Sequence, residues 1–130
     1  MERTIAFARE HGYVETFFGR RRYLPALTGG GFREMREAER MAINFPVQGT
    51  ATGDIVKLAM IEVSKRVLSE TNHIRLLLQI HDELLFEVKD SPKEIEQAKK
   101  EIRVIMESVW KGRVRLVVDV KSGTNWADAK

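Results

Sequence analysis

The chain has 130 residues, of which 43% are hydrophobic and 32% charged, with a formal net charge of +3. That is one ordinary domain's length with enough apolar mass for a core, which argues against disorder, while the mild positive balance is compatible with nucleic-acid binding without indicating it. With no cysteine, disulfides and thiolate metal sites are excluded; no apolar run approaches the roughly 18 residues of a membrane span, and "MERTIAFAREHG" has no signal-peptide core, so a soluble cytoplasmic protein is expected.

Residues 2 to 11 fit a short helix with Ile5 and Ala8 on one side and Gly12 as its stop. "YVETFFGRRRYLP" changes period: Val14 and Phe17 precede a Phe18-Gly19 turn, and "RRRYL" resumes as an extended segment ending at Pro25, which predicts a β-hairpin. "ALTGGGFRE" reads as a loop. From Glu34 the pattern turns helical, and Pro46 is expected to end or kink that helix near Asn44. A second long helix is predicted over residues 50 to 70, with Val56, Met60, Val63 and Val67 as its buried stripe opposite Lys57, Lys65 and Arg66.

The stretch "LLLQIHDELLFEV" places His81-Asp82-Glu83 between two apolar runs, 76 to 80 and 84 to 88, that read as buried strands. In one straight strand residues 76 to 88 of even number share a face, which buries Asp82 among apolar neighbours at considerable cost. A hairpin with the triplet at its tip avoids that cost, although no Asn-Gly or Asp-Gly marks the turn. Ser91-Pro92-Lys93-Glu94 then reads as a helix start, with Ser as N-cap, Pro at the first position and Glu three residues after the cap. Ile95, Ala98, Ile102, Ile105, Met106 and Val109 form its core face, and "VRLVVDVKSGTNWADAK" closes the chain as a strand and tail. Helices and a small antiparallel sheet sharing one core make an α+β fold.

Two groups of residues are candidates for chemistry. Asp82 and Glu83 are the only adjacent acid pair beside a His in an apolar frame; carboxylates with few other ligands suit Mg²⁺, while a solvated turn is the plainer alternative. Arg40 and Asn44 share a helix face, which Gln48 continues if Pro46 allows. Such side chains suit phosphates and base edges, and equally an ordinary polar surface. Arg20-Arg21-Arg22 has the same two readings, a phosphate contact or a solvated edge, and Gly29-Gly30-Gly31 lacks the context of a phosphate-binding loop. The three His, at 11, 73 and 81, offer no zinc-ligand spacing.

Taken in order, "GYVETFFGRRRYLP", "AERMAINFPVQGTA" and "LLLQIHDELLFEV" closely resemble the C-terminal part of family A DNA polymerases, through to "SGTNW". The resemblance implies a palm and partial fingers fragment, residues 1–33 lying on the fingers side and 34–130 mostly in the palm. It implies that Asp82 ligates catalytic Mg²⁺, that Glu83 supports the site, and that His81 lies near the primer terminus. Arg40, Asn44 and Gln48 match the helix that tracks the minor groove, whose acceptors occur on every base pair. Partners would be primer-template DNA and deoxynucleoside triphosphates, and the chemistry nucleotidyl transfer by two metal ions.

The family's other palm Asp motif and nucleotide-gripping fingers helix have no counterpart in these residues, so the chain is expected to be inactive alone. A missing strand partner beside residues 76 to 88 predicts an open sheet edge and self-association. "QGTATGDIVK" is one residue longer than the common family pattern "QGTAADIIK", which predicts a π-bulge near Thr52-Gly53. Two alternatives remain: a non-catalytic DNA-binding module, and a metal-dependent nuclease needing Asp54 or Asp119 to converge on Asp82.

Overall fold

The structure is a computed structural model that describes residues 2–67 and 73–129. It has an α+β architecture built as two compact units, 1–54 and 55–130, each with its own apolar cluster, in place of the single core expected. The physical reason lies in the side chains: each helix buries only one to three residues, enough for a local cluster around one hairpin.

In the first unit, α1 (Glu2–His11) stops at Gly12, whose φ of +76° and N–H bond to the Ala8 carbonyl make a left-handed helix cap. β1 (Tyr13–Glu15) and β2 (Arg21–Tyr23) pair antiparallel as predicted. The Thr16–Gly19 turn bond and the left-handed Gly19 give the three-residue loop favoured by hairpin twist. The expected loop at 26–34 instead holds a single turn, α2 (Ala26–Gly29), and α3 already begins at Phe32. There the Glu34 carboxylate accepts the Gly31 N–H at 3.0 Å, satisfying a donor at the helix start.

α3 (Phe32–Gln48) runs through Pro46 and does not end near Asn44. The local bias against helix before proline is outweighed by packing, because Ala38 and Ala42 are buried with Ala8, Val14, Leu24 and Leu27, and Phe45 packs on that cluster. The predicted π-bulge is present as a π-helix over Gly49–Ile55. Threonine hydroxyls bond the carbonyls of its approach: Thr50 donates to Pro46 O at 2.5 Å and Thr52 to Gln48 O at 2.7 Å. The buried Thr50 hydroxyl also accepts the Phe17 N–H at 3.0 Å, pinning the β1–β2 turn to the helix.

In the second unit, α4 (Val56–Arg66) buries Val56, Ala59 and Val63, with Met60 only half-buried and Val67 buried just beyond the helix. The expected helix end at residue 70 lies outside the described residues. β3 (Ile74–Ile80) and β4 (Glu83–Val88) form an antiparallel hairpin, so the straight-strand alternative falls away. A bulge at Leu77 interrupts the ladder, Leu76 pairing with Phe86 and Leu78 with Leu85.

The strands are less buried than expected: only Ile74 is fully buried, Phe86 and Val88 pack on its cluster, and Leu77 and Leu78 are about half exposed at 51% and 49%. Among the described residues, the two strands have one hydrogen-bonded neighbour each, and within this unit α5 (Pro92–Ser108) and α4 supply the cover. α5 starts at Ser91 and Pro92 as read, and buries Ala98, Ile102 and Ile105. The Ser91 N-cap makes no side-chain bond, however, and Glu94 pairs with Lys89 at 3.2 Å.

Residues 115–120 form no strand, contrary to expectation; Val114 and Val117 are 78% and 75% exposed. An apolar β-prone run becomes a strand only when another edge takes its N–H and C=O groups, and among the described residues none does. Glu107 anchors it twice, accepting the Val118 N–H at 3.0 Å and pairing with Arg115 at 3.9 Å.

Candidate nucleic-acid interface and acidic hairpin

The periodicity of α3 places Arg40, Asn44 and Gln48 at intervals of four, and Pro46 does not break the series because the helix continues beneath it. All three are exposed and line one groove of about 530 Å³. The opposite wall comes from the β1–β2 hairpin and the π-helix: Arg20, Arg22, Gly49, Thr52 and Gly53, with Glu37, Met41 and Phe45 completing the lining. Arg20 and Arg22 reach this groove through tertiary contacts that helix spacing does not reveal; the "RRR" run was the available signal.

The three consecutive arginines have different tasks. Arg20 donates through Nε to Asp54 Oδ1 at 2.9 Å and through Nη2 to the Gly49 carbonyl at 2.8 Å. Arg21 lies over the Tyr13 ring, 4.4 Å from its centroid, and pairs with Glu15. Its pKa is raised above the ordinary value, first by the Tyr13 charge and then by the Glu15 hydrogen bond. Arg22 sits over Phe45 and contacts the Met41 sulfur at 3.3 Å, with its charge bordering the groove. Donors, acceptors and cations therefore share one concave face, the combination that can hold a phosphate backbone and touch base edges.

In the second unit, Ile80 pairs with Glu83, which leaves His81 and Asp82 as a two-residue turn. Only His81 of the pair takes a positive φ, +54°, a position that glycine usually holds. The Gln79 side chain donates to the His81 carbonyl at 3.2 Å and braces the turn. This geometry puts His81, Asp82 and Glu83 at the tip, all exposed. Among the described residues neither acid forms an ion pair. Two adjacent exposed carboxylates fit a hard cation such as Mg²⁺, which keeps waters and needs few protein ligands. Among the described residues, no group of three metal-ligating side chains forms. No helix among those residues is long and apolar enough to cross a membrane.

The helices and two small antiparallel hairpins match an α+β polymerase domain fold, and residues 1–128 match DNA polymerase family A, to which this chain belongs. It is 47% identical over 131 aligned residues to the thermostable DNA polymerase I of Thermus filiformis and 45% identical to DNA polymerase I of Bacillus caldotenax, all of this chain aligning in both cases. The chain spans 15% and 14% of the length of those relatives. It also superimposes on the POL domain of Pol1 from M. smegmatis, solved in complex with DNA primer-template and dNTP. That match has a TM-score of 0.89 and 41% identity over 98% of this chain and 22% of the other.

Proposed function

We propose that these 130 residues are the C-terminal palm and partial fingers portion of a DNA-directed DNA polymerase, with 1–33 on the fingers side and 34–130 in the palm. The observation that carries this is the exposed Arg40, Asn44 and Gln48 series along an arginine-lined groove in a family A chain. In this reading the series follows the minor groove of the primer-template, testing base-pair geometry through acceptors common to all pairs. His81 stands near the primer terminus. Asp82 ligates Mg²⁺ and Glu83 supports it; with Mg²⁺ bound, the site supplies activation of the primer 3′-hydroxyl and charge for the leaving pyrophosphate. Deoxynucleoside triphosphates are the second substrate.

A two-metal site needs carboxylates from more than one element, and the described residues bring together no group of three ligands. Primer extension by the isolated 130 residues is therefore expected to be absent. The same observation favours a second reading, in which this polypeptide by itself holds duplex DNA without catalysis.

One experiment separates the readings: primer extension with Mg²⁺ and four deoxynucleotides, by the chain alone and mixed with a polymerase fragment carrying the missing Asp motif and fingers helix. Extension only in the mixture, lost in Asp82→Ala, supports the polymerase assignment. DNA binding with no extension in either supports the binding module, and extension by the chain alone overturns the account of the metal site. The half-exposed Leu77 and Leu78 on a two-stranded sheet also lead us to propose self-association of the isolated chain. Sedimentation that is independent of concentration, or unchanged by Leu78→Lys, would count against it.

A further inference from the structure

The π-helix carries a feature that the groove reading does not use. The Arg20 guanidinium lies directly across Gly53: a Cβ built there would come within 2.0 Å of Nη2 and 3.0 Å of Cζ. From that position Arg20 bonds both ends of the π-turn, the Gly49 carbonyl at one end and the Asp54 carboxylate at the other, while its guanidinium sits 5.5 Å from the Phe45 ring centroid of α3. Asp54 is only 14% exposed, and its second oxygen, Oδ2, is buried without a hydrogen-bond partner among the described residues. Arg20 is thus the charge that Asp54 answers. Gln48, the last residue of the polar series, immediately precedes the gripped segment, and its carbonyl is held by Thr52 inside it.

We propose that Arg20 is a positioning residue for primer-template recognition: by clamping the π-turn across Gly53 it fixes where Gln48 points in the groove. The inference rests on the polymerase reading above. Lysine cannot replace Arg20, because one ammonium does not present two donors in the fixed fork that spans Gly49 and Asp54. Gly53 is the companion requirement, since any side chain there displaces the guanidinium. The displaced atoms are the far end of a flexible side chain, so the backbone is spared and Ala raises helix propensity. Gly53→Ala therefore removes the clamp while sparing the helix backbone, and leaves Asp54 without its countercharge.

The test is made in the complete polymerase of which this chain is a part, by single-turnover extension from a matched primer terminus. Misplacing a contact by a fraction of an ångström to an ångström costs roughly ten- to a hundredfold in rate, and that is the expected loss for Gln48→Ala, Arg20→Ala, Arg20→Lys and Gly53→Ala. The double variant Arg20→Ala/Gln48→Ala should be no slower than Gln48→Ala alone. Gly53→Ala should lose rate under conditions where circular dichroism shows it fully folded, whatever its urea midpoint loses by leaving Asp54 without its countercharge, which a merely structural clamp would not produce. The salt dependence of DNA binding should be unchanged by Arg20→Ala.

Multiplying losses in the double variant, wild-type rate in Gly53→Ala, or a salt slope lowered by about one phosphate contact would overturn the clamp, the last by making Arg20 a direct DNA ligand. A Gln48→Ala variant that extends at the wild-type rate would instead remove the groove reading itself, and the clamp with it.

Discussion

Replacing Thr50 by Val removes one hydroxyl from a side chain that is 4% exposed and leaves its shape almost unchanged. The hydroxyl makes two bonds, accepting from the Phe17 N–H and donating to the Pro46 carbonyl, so it ties the β1–β2 turn to the helix at the start of the π-turn. Each such bond contributes about 1 kcal/mol net, which puts the loss near 2 kcal/mol. Thr50→Ser keeps both bonds and loses one methyl, about 0.8 kcal/mol. With a urea m-value of about 2 kcal/mol/M, Thr50→Val should lower the midpoint by about 1 M and Thr50→Ser by less than half of that. Both tyrosines, Tyr13 and Tyr23, lie in the first unit, and both tryptophans, Trp110 and Trp126, in the second. Near-ultraviolet circular dichroism of tyrosine therefore follows the relevant transition. A Thr50→Val midpoint within about 0.2 M of wild type, or a Ser variant less stable than the Val variant, would refute the assignment of the tie to the hydroxyl.

His81 occupies a left-handed position without being glycine, so His81→Gly should stabilise the second unit by up to about 1 kcal/mol and His81→Val should destabilise it, read from tryptophan fluorescence in urea. Equal midpoints for the His and Val proteins would contradict the backbone account. The Glu62 carboxyl is held below its ordinary pKa of 4.5, first by the Lys65 hydrogen bond and then by the charges of Lys65 and Arg66. Because the folded pKa is the lower one, this contribution to stability is present above the unfolded pKa and fades as pH falls through the folded value. Glu62→Gln should therefore match wild type in acid and fall below it at neutral pH, with the gap narrowing in high salt. A gap that persists unchanged below pH 3 would point to another cause.

What could be read from the sequence was set by how local its cause is. Gly12 and Gly19 mark a helix stop and a turn because their backbone angles are a property of one residue and its neighbours. The π-turn was legible from a one-residue difference in length, since a helix must absorb an extra residue somewhere. Arg40, Asn44 and Gln48 followed from helical spacing. The passage of α3 through Pro46 was not legible, because Ala38, Ala42 and Phe45 hold that helix through residues far along the chain. The "RRR" run shows the same limit: nothing local separates Arg20, turned to Gly49 and Asp54, from Arg21 on Tyr13 or Arg22 on Phe45. The strand expected after Val114 failed for a related reason, since pairing belongs to two segments and a sequence window shows one.

The extra residue at Leu77 divides the hairpin's apolar side chains between its two sides. Paired residues share a side, so Ile74 and Leu76 go with Val88 and Phe86, whereas past the bulge Leu78 and Ile80 go with Leu85 and Glu83. The root of the hairpin is thus fastened through one surface while its tip displays the other. Any segment that came to shield Leu78, Ile80 and Leu85 from water would lie against the surface from which Glu83 projects. Dehydration of the outer tip and dehydration of that carboxylate would then be a single event, while Asp82, belonging to the turn and to neither surface, could keep its water.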